Sequence, residues 1–165
     1  MTVAISRAGA DRLDDLRPLF LALHEHHRHV TPRPIPLIES DDAAWEARRA
    51  GYAEYLADGS GFLHIADEDG VAVGYAFTVL RDATDDTFPL APRYAELYTL
   101  SVAPEARGSG VGSQLMDAVD ELIAGLDVAA LQVAVMADNA DAIRLYERRG
   151  LVTGEILMYR FADRS

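Results

Sequence analysis

The chain has 165 residues and carries 27 acidic against 15 basic side chains, a net charge of −12 that opposes binding to nucleic acid or to an anionic membrane. The absence of cysteine excludes disulfides, thiolate nucleophiles and cysteine-ligated zinc, and with 50% hydrophobic residues the chain can bury a core as one domain. Arg7, Asp11, Arg12, Asp14 and Asp15 interrupt any leader-like apolar run, and no stretch approaches the roughly 18 apolar residues of a membrane span, so a cytoplasmic protein is expected.

Residues 3–9 read as a first strand. Asp11 then caps a pattern in which Leu13, Leu16, Leu19, Phe20 and Leu23 recur at helical spacing, with Pro18 marking a kink or a restart. The stretch 26–42 holds three prolines in five residues and is expected to be a long loop. A second helix runs from about Asp42 to Asp58. Two strands, 61–67 and 71–81, follow, joined by a turn at 68–70. An acidic loop over 81–93 leads to a β-branched and aromatic strand, 94–102. After a glycine-rich turn comes a helix supported by Val111, Leu115, Val119 and Leu122, then a strand over 130–137. Asn139 and Asp141 open a short helix that Gly150 closes, and 154–162 reads as a last strand. Hairpin-connected strands first and helix-connected strands later imply an α+β, mixed α/β fold: one central, mostly antiparallel sheet with helices on both faces.

Gly108, Gly110 and Gly112 stand at the mouth of a helix, where glycine costs about 1 kcal/mol relative to alanine. A strand entering such a turn presents unpaired amides and the positive end of the helix dipole to one point, a site suited to pyrophosphate, and Arg107 adds a cation. No Gly-Lys-Ser/Thr follows, which excludes a P-loop. Ser113 stands where a dinucleotide fingerprint wants its third glycine.

Leu100, Val102, Pro104, Arg107, Gly108, Gly110 and Gly112 fit L-x-V-x-P-x-x-R-G-x-G-x-G, and Asn139, Ala142, Leu145, Tyr146, Gly150 and Leu151 supply a second motif in order. On these residues the chain resembles the GNAT-type acyl-CoA N-acyltransferases over nearly its whole length, as a single domain of residues 1–165. The resemblance implies that Arg107, Gly108, Ser109, Gly110, Val111, Gly112 and Ser113 hold the pyrophosphate of acetyl-CoA as co-substrate. It also implies that the backbone at Leu100 and Val102 pairs with the pantetheine amides, and that Asn139 and Tyr146 belong to the same cofactor site. Homodimers are frequent in the family.

Tyr146 is the candidate acid for the leaving thiolate, since an unperturbed tyrosine pKa of about 10 lies near that of an alkyl thiol. Glu96 is the candidate base. In a regular strand it shares a face with Tyr98, Leu100 and Val102, partly desolvated, and a bulge would change that face. The alternative for Tyr146 is a side chain filling a helix–sheet groove, and for Glu96 an exposed strand residue. His24 and His27 share a helical face, but Arg28 breaks the His-Glu-x-x-His spacing and no metal site is expected; His64 is expected to be a satisfied sheet histidine. Glu39, Asp41, Asp42, Asp82, Asp85 and Asp86 lie on the two loops expected to choose the acceptor, where they could draw in a cation or form a solvated rim. The expected activity is acetyl transfer to a primary amine of a small molecule or peptide. The alternative is a catalytically silent acyl-CoA-binding sensor.

Overall fold

The computed structural model describes residues 2–162. The strands β1 (Ala4–Ala8), β2 (Gly61–Glu68), β3 (Val71–Asp82), β4 (Arg93–Val102) and β5 (Leu131–Val133) form one sheet in chain order, antiparallel from β1 to β4 and parallel between β4 and β5. The mixed sheet expected from the sequence is therefore present. Helices α1 (Arg17–Val30) and α2 (Asp41–Ala57) cover one face, and α3 (Val111–Ala124) and α4 (Ala140–Arg148) the other.

Both faces being covered explains why β2 and β3 are buried over long continuous runs rather than at alternate residues. On the α1–α2 face Leu13, Leu16, Phe20, Trp45, Tyr52, Leu63, Ile65, Tyr75 and Phe77 form a core, with Tyr52 stacked on Phe77 at 4.1 Å between ring centroids. On the other face Val111, Leu115, Met116 and Val119 pack on Ala66, Ala76 and Leu97. Each fully buried side chain of this size contributes about 1.5–3 kcal/mol. The β2–β3 hairpin turns at Asp69 and Gly70, both at positive φ (51° and 81°), the backbone of a type I′ turn whose twist matches its strands.

The structure decides between the two readings of Pro18 and corrects three other expectations. Pro18 restarts the chain: a 3₁₀ segment, Ala10–Leu16, hands over to α1 with the proline in the first turn, where its missing N–H is not needed. Helix α1 then continues through the histidines to Val30, because the prolines constrain the chain only from Thr31, which is extended (φ −89°, ψ 125°) just before Pro32. The strand expected over 130–137 is confined to Leu131–Val133. The strand expected over 154–162 does not form. Residues 151–162 are irregular, and Val152, Ile156, Leu157, Met158, Tyr159 and Phe161 are exposed. The continuous apolar run 156–159 suits a buried strand, but it pairs with none of the five strands of the sheet.

Candidate active site

The site begins where β4 and β5 part. They pair at Ala95–Leu131, Glu96–Gln132 and Leu97–Val133 and no further, yet β4 continues to Val102. One edge of β4 still pairs with β3 there, while the other stands open over roughly 15 Å at about 3.3 Å per residue. The Ala103 amide donates to the Val73 carbonyl at 2.8 Å, so by strand alternation the backbone groups of Val102 and Leu100 point to the open edge. Arg107 Nε donates to the Val102 carbonyl at 3.2 Å, which agrees with that direction.

The open edge runs into the glycine turn. Gly108 (φ +76°) and Gly110 (φ +91°) hold left-handed conformations that side chains rarely adopt, and nothing lies within 4 Å of where a Cβ would stand at either. Among the described residues the amides of Gly108, Ser109 and Gly110 donate to no protein acceptor. The amides of Val111, Gly112 and Ser113 open α3 and by position lack intrahelical partners. Ser109 Oγ donates to the Ala106 carbonyl at 2.6 Å and shapes the turn, and the Ser113 carbonyl accepts from Arg149. Arg107 has no carboxylate partner among the described residues. This cradle of free amides, helix dipole and one cation suits an anion with several oxygens.

Tyr146 lies in α4 on the α3 side of the sheet, its ring in the core and only 9% of the residue exposed. Its hydroxyl has no protein partner among the described residues and is reached by solvent. Burial pushes the phenol up to about 12, so it is protonated throughout the neutral range. Asn139 caps α4, its side chain accepting from the Ala142 amide at 3.3 Å.

Glu96 departs from the regular-strand expectation. Register moves from Phe77–Thr99 to Thr78–Leu97, leaving Tyr98 as the extra residue of a bulge. Beyond it alternation is inverted. Glu96, Tyr98 and Thr99 face α2, whereas Leu100 and Val102 pack on the α3 side. Glu96 Oε2 accepts from Arg81 Nε at 2.6 Å, and Arg81 Nη1 donates to Tyr55 Oη at 3.0 Å.

The sequence did not single out the rest of this face. Arg48 Nη1 donates to Thr99 Oγ1 at 2.9 Å, and Tyr52 Oη donates to the same oxygen at 2.6 Å. Tyr75 Oη lies 3.2 Å from Tyr52 Oη and supplies the hydrogen that Tyr52 has given away. The one available signal was a charged residue on the inward stripe Trp45, Arg48, Tyr52 of α2.

The histidines have structural surroundings. His24 Nε2 lies 2.8 Å from the Ile38 carbonyl and ties the 31–40 loop to α1. His27 is pushed down to about 4, by burial first and then by the charge of Arg48. His64 Nδ1 is buried without a partner, so the expected satisfied sheet histidine is incorrect, and burial lowers its pKa and keeps the ring neutral. Among the described residues no three metal-ligating side chains cluster.

The profile of the Acetyltransferase (GNAT) family matches residues 20–151. The chain is 33% identical over 140 residues to a mycothiol acetyltransferase of Streptomyces griseus subsp. griseus, covering 73% of this chain and 43% of that protein. A mycothiol acetyltransferase of Pseudarthrobacter chlorophenolicus is 33% identical over 149 residues, 79% of this chain and 45% of that one. The chain thus spans less than half the length of these relatives. Its fold matches a GCN5-related N-acetyltransferase from Ralstonia eutropha JMP134 with a TM-score of 0.80 at 18% identity, over 98% of this chain and 100% of that one. It also matches an aminoglycoside N-acetyltransferase in complex with CoA, with a TM-score of 0.73 at 21% identity, over 97% and 95%.

Proposed function

Because the chain belongs to the GNAT acetyltransferase family, we propose that it transfers an acetyl group from acetyl-CoA to a primary amine of a small molecule or peptide, in a ternary complex. The observation that carries this reading is the open edge of β4 from Leu100 to Val102, followed after the 3₁₀ turn Pro104–Ala106 by the unpartnered amides of the glycine turn. Acetyl-CoA, when bound, supplies the acyl thioester.

The residues of the chain divide the work. The amides from Gly108 to Ser113 and the Arg107 cation hold the diphosphate, and the backbone of Leu100 and Val102 aligns the pantetheine arm as an added strand. That direction brings the thioester to the parting of β4 and β5, where a backbone N–H polarises its carbonyl. The amine arrives from the α1–α2 face. Arg81 occupies Oε2 of Glu96 and leaves Oε1 to accept the proton of the ammonium, directly or through a water. The amine nitrogen, having given one proton to Glu96, forms its bond to the carbonyl carbon; the carbon–sulfur bond breaks, the hydroxyl of Tyr146 gives its proton to the departing thiolate, and the second proton that the nitrogen sheds as the amide forms returns through water to the Tyr146 oxygen.

The test is a thiol-release assay with acetyl-CoA and a panel of amines, run beside calorimetric titration with CoA. CoA binding with turnover of at least one amine is expected. Binding with no turnover of any amine would favour the silent sensor, and no binding would end both readings. We include a homodimer in the proposal, supported by the exposed apolar residues between Val152 and Phe161, which a second copy would cover. Light scattering is expected to give twice the chain mass, and the double substitution Ile156→Asp, Met158→Asp to return the monomer. A monomeric native chain would refute this part alone.

A further inference from the structure

Arg48 is a charged residue in an apolar stripe, half-buried between rings. Its guanidinium carbon lies 4.7 Å from the ring centroid of Tyr98, 5.4 Å from that of Phe20 and 5.8 Å from that of Tyr52. Among the described residues no carboxylate pairs with it. Its neighbours on α1 and α2 are different: Arg17 holds Asp42, Arg28 holds Glu25 and Asp41, and Arg49 holds Asp14. In a chain with 27 acidic residues, an inward arginine lacking one calls for an explanation.

The groups around Arg48 supply no negative charge. Burial raises the phenols of Tyr52 and Tyr75, so both stay neutral, and His27 is neutral above its lowered pKa. Aromatic faces and the Thr99 hydroxyl compensate a half-buried cation only in part. The remaining guanidinium nitrogens are not among the buried atoms lacking a partner, so they are reached from solvent.

The position matters as much as the charge. Arg48 touches Tyr98 and Thr99, the bulge residues where β4 leaves β5, which is where an amine meets the thioester in the reading above. Three of the six acidic residues expected to draw in a cation have other partners: Asp41 and Asp42 hold Arg28 and Arg17, and Asp85 Oδ1 accepts from the Ala91 amide.

We infer that Arg48 binds a carboxylate carried by the acceptor, so that the substrate is an amino-carboxylic acid, a free amino acid or a small relative, rather than a polycation. A planar guanidinium and a carboxylate make paired, charge-assisted hydrogen bonds, and the acid supplies the anion that the protein withholds. This rests on the acetyl-transfer reading.

The experiment compares matched acceptors with acetyl-CoA: a set of amino acids, their carboxamides and their decarboxylated amines. For the wild type, KM for the acid is expected at least 10-fold below that for its amide and amine. Arg48→Met is expected to raise KM for the acid about 30-fold with kcat within about threefold and KM for the plain amine unmoved, and Arg48→Lys to recover part of the loss. Equal use of acid, amide and amine by the wild type would overturn the inference, as would a preference that survives Arg48→Met. Binding of N-acetyl amino acids to the wild type with CoA present is measured by calorimetry in parallel. Its absence overturns the inference whether or not the variants fold, whereas loss of CoA binding itself would strike the acetyl-transfer reading instead.

Discussion

The glycine turn and the α2 face meet on one strand, β4, yet they are made of different material. The turn offers main-chain amides fixed by backbone conformation, with Gly108 and Gly110 at positive φ and Arg107 as the one charged side chain within residues 107–113. The α2 face offers side chains, Arg48, Arg81, Glu96 and Tyr98, drawn from three elements and locked by hydroxyls and rings. Main-chain recognition fits a co-substrate shared by a family. Side-chain recognition can change one residue at a time and fits a substrate peculiar to one member.

The largest expected effect falls where the two sides act together. Tyr146→Phe removes only a hydroxyl, and kcat is expected to drop about 10²–10³-fold, the usual contribution of a positioned acid, with CoA affinity within about threefold. Unchanged turnover would assign the proton to water and leave Tyr146 as a packing residue. On the turn side, Gly110→Val forces a β-branched residue to φ +91°, and roughly 2 kcal/mol of strain corresponds to CoA binding weakened about 30-fold in a calorimetric titration. Gly112→Ala is the control. That position is helical and its nearest neighbour to an added Cβ is Val102 at 3.8 Å, so any affinity lost there reports close approach of ligand rather than strain.

This difference in material also decides what could be read in advance. Residues 100–113 are contiguous, and a strand, a proline and spaced glycines announce an anion cradle with no knowledge of the rest of the fold. Asn139 and Gly150 announce the ends of α4 in the same local way. Arg48 and Thr99 are 51 residues apart, and their contact depends on a bulge that no residue of β4 advertises. A regular strand put Glu96 on the face of Leu100; one extra residue at Tyr98 reversed that. The segment 154–162 fails for a related reason: an apolar run records the preference of a strand, whereas pairing depends on a partner edge that local composition does not name, and residues 151–162 pair with none of the five strands.

On the α2 side, acid should expose the cost of a neutral histidine beside Arg48. His27 titrates at 6.5 when unfolded and at about 4 when folded, so between those pH values the unfolded chain binds the extra proton and stability falls as pH drops. Discounted for partial exposure, the loss is on the order of 1–2 kcal/mol, completed near pH 4. Denaturant midpoints at pH 7 and 4.5 are expected to show a smaller drop for His27→Gln than for the wild type. Parallel drops would mean that the ring is solvated and indifferent to Arg48.

Tyr52→Phe is the mildest change and separates charge from scaffold. It removes one of two donors to Thr99 Oγ1 and leaves the buried Tyr75 hydroxyl without its acceptor, which costs about 1 kcal/mol, or a melting temperature lower by about 2–4 °C. Tyr52→Phe with Tyr75→Phe should recover part of that loss, because no orphaned hydroxyl remains. Thr99 still receives Arg48 in both variants. If the guanidinium sets acceptor choice, the preference for acid over amide is expected to stay within about threefold of the wild type in both. A preference that collapses with the Tyr52 hydroxyl would instead make the hydrogen-bonded chain, and not its terminal charge, the reader of the substrate.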